Sequence, residues 1–223
     1  MAPLTKPTNS KLLPDLAEGS PQKPVLILAV EDLLIHTYYT PRTGWKTQKR
    51  PGLDNFLKTI SQYYELVFFS ENYMTSVQQI IERLDPNQYA HKLFKDSTTM
   101  ENGKTIKDLS LMNRPIERIV LIDHRAEAYS KQPENTLVVE PWKGDTSDRL
   151  LTDLVPFLEL VASKSGKIDV RTILNEYGNR DKPAQQIARD FITKLQNIKK
   201  AQQQQQPVED KKQASGGWFG FRK

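Results

Sequence analysis

The sequence predicts an α/β fold, a parallel sheet covered on both faces by helices, and three observations carry that prediction. Continuous apolar runs of strand length recur at Val25–Val30, Glu65–Phe69 and Arg118–Asp123, as expected for strands buried on both faces. Segments of helical period lie between and after them. Turn-forming clusters separate the two kinds, and alternation of this sort favours a parallel sheet.

In chain order, residues 1–23 hold four Pro among Ser, Thr and Asn, which predicts an extended linker. After the first strand, TYYTPRTGWKTQKRPG predicts a projecting hairpin turning around Pro41 to Gly44. Pro51 suits the first turn of a helix whose apolar positions are Phe56, Leu57, Ile60 and Tyr64. Past the second strand, Asn72 is placed to cap a helix with Val77, Ile80, Ile81 and Leu84 on one face. Asn102-Gly103 between Thr-bearing arms predicts a second hairpin. Thr136 to Glu140 forms a short fourth strand. Thr146, Ser147 and Asp148 open a helix to about Ser163, with a kink expected at Pro156. Ala184, Ile187, Phe191, Leu195 and Ile198 mark a further amphipathic helix, which either packs on the core or pairs with a partner or membrane surface. These elements divide the chain into a linker (1–23), a main domain (24–165), C-terminal helices (166–201) and a disordered Gln- and Lys-rich tail (202–223) containing Trp218, Phe219 and Phe221.

Composition removes several functions. The chain has no Cys and only three His, without zinc-site spacing. No run approaches the roughly 18 apolar residues that span a bilayer, and the first 23 residues resemble neither a secretory signal nor a transit peptide. The net charge of +5 sits in the tail: from Asp181 onward there are nine Lys or Arg against four Asp or Glu, while the preceding 180 residues carry 23 of each sign. With no reader motif on the neutral part, nucleic acid is excluded as a partner.

Parallel sheets place their functional crevice at the carboxyl ends of the strands. Ala29 to Leu33, Ser70 and Asp123 fall at such ends. Five ordered blocks carry those positions: VLILAVEDLLIHT, YELVFFSENY, KDLS, RIVLIDHRAEAY and QPENTLVVEPWKGDTSDRLL. Together, over roughly Pro24 to Ala162, they resemble the FCP-type (CTD-phosphatase-like) branch of the haloacid dehalogenase superfamily. Within that branch, GWKTQKRPG, QYYE, NYM and EPW followed by LVPFLELVA are similar to the receptor subunits of the mitochondrial inner-membrane presequence translocase. The resemblance implies a haloacid-dehalogenase-like sheet flanked by helices, with β-hairpin insertions and a C-terminal extension.

In active members of that branch one carboxylate attacks phosphorus and binds Mg²⁺, a second handles protons, and a hydroxyl and a Lys hold the phosphoryl oxygens. Mapped by the resemblance, Ala29 stands at the nucleophile position, Glu31 at the acid–base position, Ser70 at the hydroxyl, Lys107 at the phosphate-binding Lys and Asp123 at the late metal acid. His124 stands where many relatives carry Asn or Asp. One carboxylate holds Mg²⁺ poorly. Glu31 or Asp32 cannot substitute for the nucleophile, because two residues along a strand is about 6–7 Å and reaction tolerates errors of about 1 Å. No metal, cofactor or catalysis is therefore expected. Ser70 can equally cap a turn, and Lys107 and Asp123 can simply pair.

The resemblance further implies a receptor facing the intermembrane space, held to the inner membrane by an N-terminal helix that this sequence does not contain. Its expected partners are precursor presequences and the channel-forming subunit, which it helps to gate. A presequence is amphipathic and Arg-rich, so Glu31, Asp32 and Glu71 are candidate contacts. Tyr38, Tyr39, Trp45, Lys46 and Arg50 on the hairpin are candidate contacts for the channel subunit, since aromatics and Arg anchor interfaces. The alternatives are a pseudophosphatase scaffold for phosphorylated partners, using Ser70 and Lys107, and an active Mg²⁺-dependent phosphatase.

Overall fold

A computed structural model describes Pro7 and residues 10–204. The apolar runs form the centre of a five-stranded parallel sheet. Its strands are β1 (Val25–Ala29), β4 (Glu65–Phe69), β5 (Ala90–Leu93), β8 (Ile119–Asp123) and β9 (Thr136–Val138), in the order β5-β4-β1-β8-β9. In register, Ala29 pairs with Phe69 and Leu28 with Ile122, so the three longest runs end level with one another. The antiparallel hairpins are β2 (Ile35–Thr40) with β3 (Gly44–Lys49), and β6 (Thr99–Glu101) with β7 (Lys104–Ile106). Both were expected from their turn residues. Asn102 and Gly103 take positive φ, 52° and 77°, as an Asn-Gly turn requires.

Side chains alternate between two cores, as the two-residue period of a strand dictates. Leu26, Leu28, Leu66, Phe68, Val120 and Ile122 pack with the buried faces of five helices. These are α1 (Leu53–Ile60), α2 (Met74–Leu84), α3 (Leu150–Lys164), α4 (Val170–Glu176) and α5 (Ala184–Gln204). Each such side chain contributes about 1.5–3 kcal/mol relative to exposure. Phe157, Tyr177 and Phe191 join the last three helices, with ring centroids 5.1, 5.6 and 5.7 Å apart. The amphipathic segment from Ala184 thus packs on the core through Ile187, Ala188 and Phe191.

The opposite face departs from the expectation of helices on both sides. Val25, Ile27, Val67, Phe69, Ile119 and Leu121 are covered there by Leu13, Leu109 and Met112 together with Ile116 and Tyr129, all outside α-helices. The N-terminal segment lies against this face: Leu12 N–H donates to the Leu111 carbonyl at 2.8 Å, and Arg114 donates to the Pro14 carbonyl at 2.9 Å. A short crossover of turns suffices because the apolar side chains of this layer come from irregular segments.

Other boundaries shift locally. Tyr64 lies beyond α1 but is buried, donating its hydroxyl to the Leu158 carbonyl at 2.7 Å. The fourth strand stops at Val138 rather than Glu140. α3 starts at Leu150, whose N–H donates to Asp148, and it continues through Pro156. Asn72 does not cap α2: Tyr73 precedes that helix, and the Asn72 amide turns to Glu31 instead. Of the tail, Trp218, Phe219 and Phe221 lie outside the described residues.

Candidate functional site

The level ends of β4, β1 and β8 bring the expected site residues to one edge of the sheet. Ala29 closes β1 and is buried in the helical core. Two residues on, the Glu31 carboxylate is fixed by three donors: the Ser70 hydroxyl at 2.5 Å, the Asn72 amide at 2.9 Å and the Glu71 N–H at 3.1 Å. Ser70 also accepts the Asn72 N–H at 3.1 Å, so it caps the turn after β4 as well as holding Glu31.

Lys107, just past β7, and Asp123, the last residue of β8, are both fully buried and pair at 2.5 Å. The other Asp123 oxygen accepts the N–H groups of His124 and Arg125 at 2.7 and 3.0 Å. The Lys107 ammonium lies 5.4 Å from the Phe69 ring centroid, a further favourable contact for a cation. The pair is complete without a ligand. Beside it, burial pushes the His124 imidazole below its ordinary pKa, against the pull of Asp123. His124 is therefore not a cation here at neutral pH. Among the described residues no group of three or more His, Asp or Glu is arranged to hold a metal ion.

The three candidate acids differ in their partners. Glu71 lies against Arg125. Asp32 bonds His36 at 2.8 Å and Lys143 at 2.5 Å, while every donor found on Glu31 is a neutral group.

On the hairpin, Trp45 is 74% and Tyr39 60% exposed, and their rings meet edge to face at 5.5 Å. Lys46 is exposed and Tyr38 half-buried, stacked on His36 at 6.0 Å. Trp45 does not fold back over the core. Arg50 corrects the expectation: it is 2% exposed and cannot meet a partner. Its guanidinium forks onto Asp148 at 2.8 and 2.7 Å and donates to the Leu33 carbonyl at 3.2 Å. The planar fork matches a carboxylate, so Arg50 ties the hairpin's exit to the start of α3. Sequence reasoning missed this brace, and with it Trp142 and Lys143. Trp142 lies beneath the hairpin, with His36 edge-on at 6.3 Å and the Arg50 guanidinium 6.0 Å from its ring. The Trp in the EPWKGD block was visible as a large apolar residue in a polar loop, but no local pattern assigned it a neighbour.

Polar side chains bonded to one another at the carboxyl ends of a parallel sheet fit one class, that of phosphatase-like α/β domains. The chain belongs to the NLI interacting factor-like phosphatase family, which it matches over residues 24–171. It is 39% identical to the mitochondrial import inner membrane translocase subunit TIM50 of Phytophthora infestans, over 97% of this chain and 53% of that protein. The same-named subunit of Yarrowia lipolytica is 41% identical, over 84% of this chain and 41% of its own length. The chain thus spans about half the length of these relatives. The fission yeast RNA polymerase II CTD phosphatase Fcp1 bound to beryllium fluoride overlaps at a TM-score of 0.48 and 15% identity, covering 82% of this chain and 67% of that one. That overlap is loose, and the fold assignment stands on the strand order and the family match.

Proposed function

We propose that this chain is the receptor domain of a mitochondrial inner-membrane presequence translocase and is not an enzyme. It faces the intermembrane space, binds the presequences of arriving precursors and passes them to the channel-forming subunit, which it helps to keep closed at rest. The whole protein would be anchored by a membrane helix on the N-terminal side of this domain. Among the described residues no helix is long and apolar enough to cross a membrane.

The observation that carries this reading is Ala29 at the nucleophile position, in a cleft whose remaining phosphatase-type residues are bonded to one another. A methyl group neither attacks phosphorus nor binds a metal. The similarity to import translocase subunits along nearly the whole chain supports the transport role. A presequence would lay its basic residues toward Glu31, Asp32 and Glu71 and its apolar face on the cleft rim, where Tyr73 and Met74 are exposed. The exposed Tyr39–Trp45 pair is the surface offered to the channel subunit, aromatic anchors being the usual centre of such contacts. A scaffold for phosphorylated partners would need Lys107, and that ammonium is buried on Asp123.

Crosslinking in intact mitochondria tests the reading. An arrested precursor and the channel subunit should both attach to this chain, and Trp45→Ala should lose the channel subunit while keeping its melting temperature. Neither attachment in the wild-type protein would overturn the receptor role. Mg²⁺-dependent turnover of a phosphopeptide, lost in Asp123→Asn, would restore an enzyme.

A further inference from the structure

Of the carboxylates at this edge of the sheet, Asp123, Glu71 and Asp32 carry cation partners, each of a different kind. The Asp123 pair is sealed, and Arg125 on Glu71 is largely covered. Asp32 is different. Its cation, Lys143, comes from the loop after β9, 111 positions along the chain, and its side chain is 62% exposed.

Backbone contacts hold the two groups in place. Asp32 takes a left-handed conformation, φ 52°. Its N–H donates to the Ile35 carbonyl at 2.7 Å, and its own carbonyl accepts the Trp142 N–H at 2.7 Å. Gly144 on the other side of Lys143 lies so close to β3 that a Cβ there would come within 2.8 Å of Gln48 Oε1. Lys143 thus lies between a residue bonded to the Asp32 backbone and one packed against the hairpin, and its long side chain is 62% exposed. Burial acts to raise the Asp32 pKa, but hydrogen bonds from Lys143 and His36 hold it below the usual carboxylate range. Asp32 therefore stays an anion at neutral pH.

We propose that Lys143 is an internal stand-in for a basic side chain of the ligand, holding Asp32 until an Arg or Lys of a presequence displaces it. The inference rests on the receptor reading above and assigns that site its selectivity for cations and its means of release. An exposed lysine–carboxylate pair is weak and salt-screened, so the exchange is nearly free. An arriving Arg gains from it, because a guanidinium bonds a carboxylate through two parallel N–H groups where an ammonium offers one point contact. Because Asp32 also bonds His36 of β2, the exchange takes place at the foot of the hairpin.

The test is binding of a fluorescently labelled, Arg-rich amphipathic peptide at low salt to the full chain and its variants. Lys143→Ala should bind roughly three-fold tighter than wild type, the scale of one exposed ion pair. Lys143→Arg, whose guanidinium holds Asp32 more firmly, should bind more weakly than wild type. Lys58→Ala, an equal loss of charge on the exposed face of α1, should match wild type. In an Asp32→Asn background, Lys143→Ala should change nothing. Equal tightening in Lys143→Ala and Lys58→Ala, or none in either, overturns the stand-in while leaving the receptor reading intact. No binding of the peptide by any form, wild type included, defeats the receptor reading itself.

Discussion

Replacing Lys107 with Met keeps most of the side chain's length and removes its cation. The Asp123 carboxylate is then left fully buried, with the two N–H donors of His124 and Arg125 as its remaining partners. Breaking a buried pair from one side costs about 3–5 kcal/mol. The two surviving hydrogen bonds place the cost at the lower end, about 3 kcal/mol, a large share of a total stability of about 5–15 kcal/mol. With a urea m-value of about 2.5 kcal/mol/M, the unfolding midpoint should fall by about 1.2 M. Asp123→Asn alone should also destabilise, by stranding the ammonium. The double variant should recover part of the loss, with a coupling of at least about 1.5 kcal/mol. A midpoint shift below about 0.4 M with no coupling would refute the reasoning. The Lys107 ammonium would then be free to meet an anion, and the phosphopartner scaffold would regain its ground.

Two further outcomes follow from the described contacts. Arg50→Leu should cost about 2–3 kcal/mol by stranding Asp148 and the Leu33 carbonyl, lowering the melting temperature by about 5–10 °C in calorimetry; an unchanged melting temperature would return Arg50 to the surface. Glu65 is an acid-sensitive group: burial opposes its ionisation, yet His91 and Arg114 hold its pKa at about 2, against an ordinary value of 4.5. A carboxylate with a depressed folded pKa stabilises fully above the unfolded value and loses that contribution as pH falls through the folded one. Urea midpoints should therefore drop between about pH 5 and pH 2, and Glu65→Gln should flatten that slope while lowering stability at neutral pH.

Much of the fold was legible because burial on both faces leaves a plain mark. Three apolar runs could only be central strands, and Asn102-Gly103 could only turn. β5 was not legible: Ala90-His91-Lys92-Leu93 has two polar residues in four, and it is a strand because the β4 edge supplies its hydrogen bonds. The cover on the second face was hidden for a similar reason, since Leu13, Leu109 and Met112 stand in segments with no period. At the site, Ala29, Glu31, Ser70 and Asp123 could be placed at strand ends, and Lys107 only by the resemblance of its KDLS block. Their bonding could not, and the pairing of Lys107 with Asp123 was one of two open readings.

By itself, the sequence determined the parallel sheet, the two hairpins and the presence of Ala29, not a carboxylate, at the end of the first strand. Those properties reside in local period, turn chemistry and the identity of one residue. Tertiary structure alone decided which charges are spent. Arg50 reads as an interface residue on an exposed hairpin until Asp148, 98 positions away, draws it inside; Lys143 reads as a solvated loop lysine until the fold sets it on Asp32. Local patterns record which side chains prefer water, but a charge's partner is fixed by which distant segments the packed core brings together.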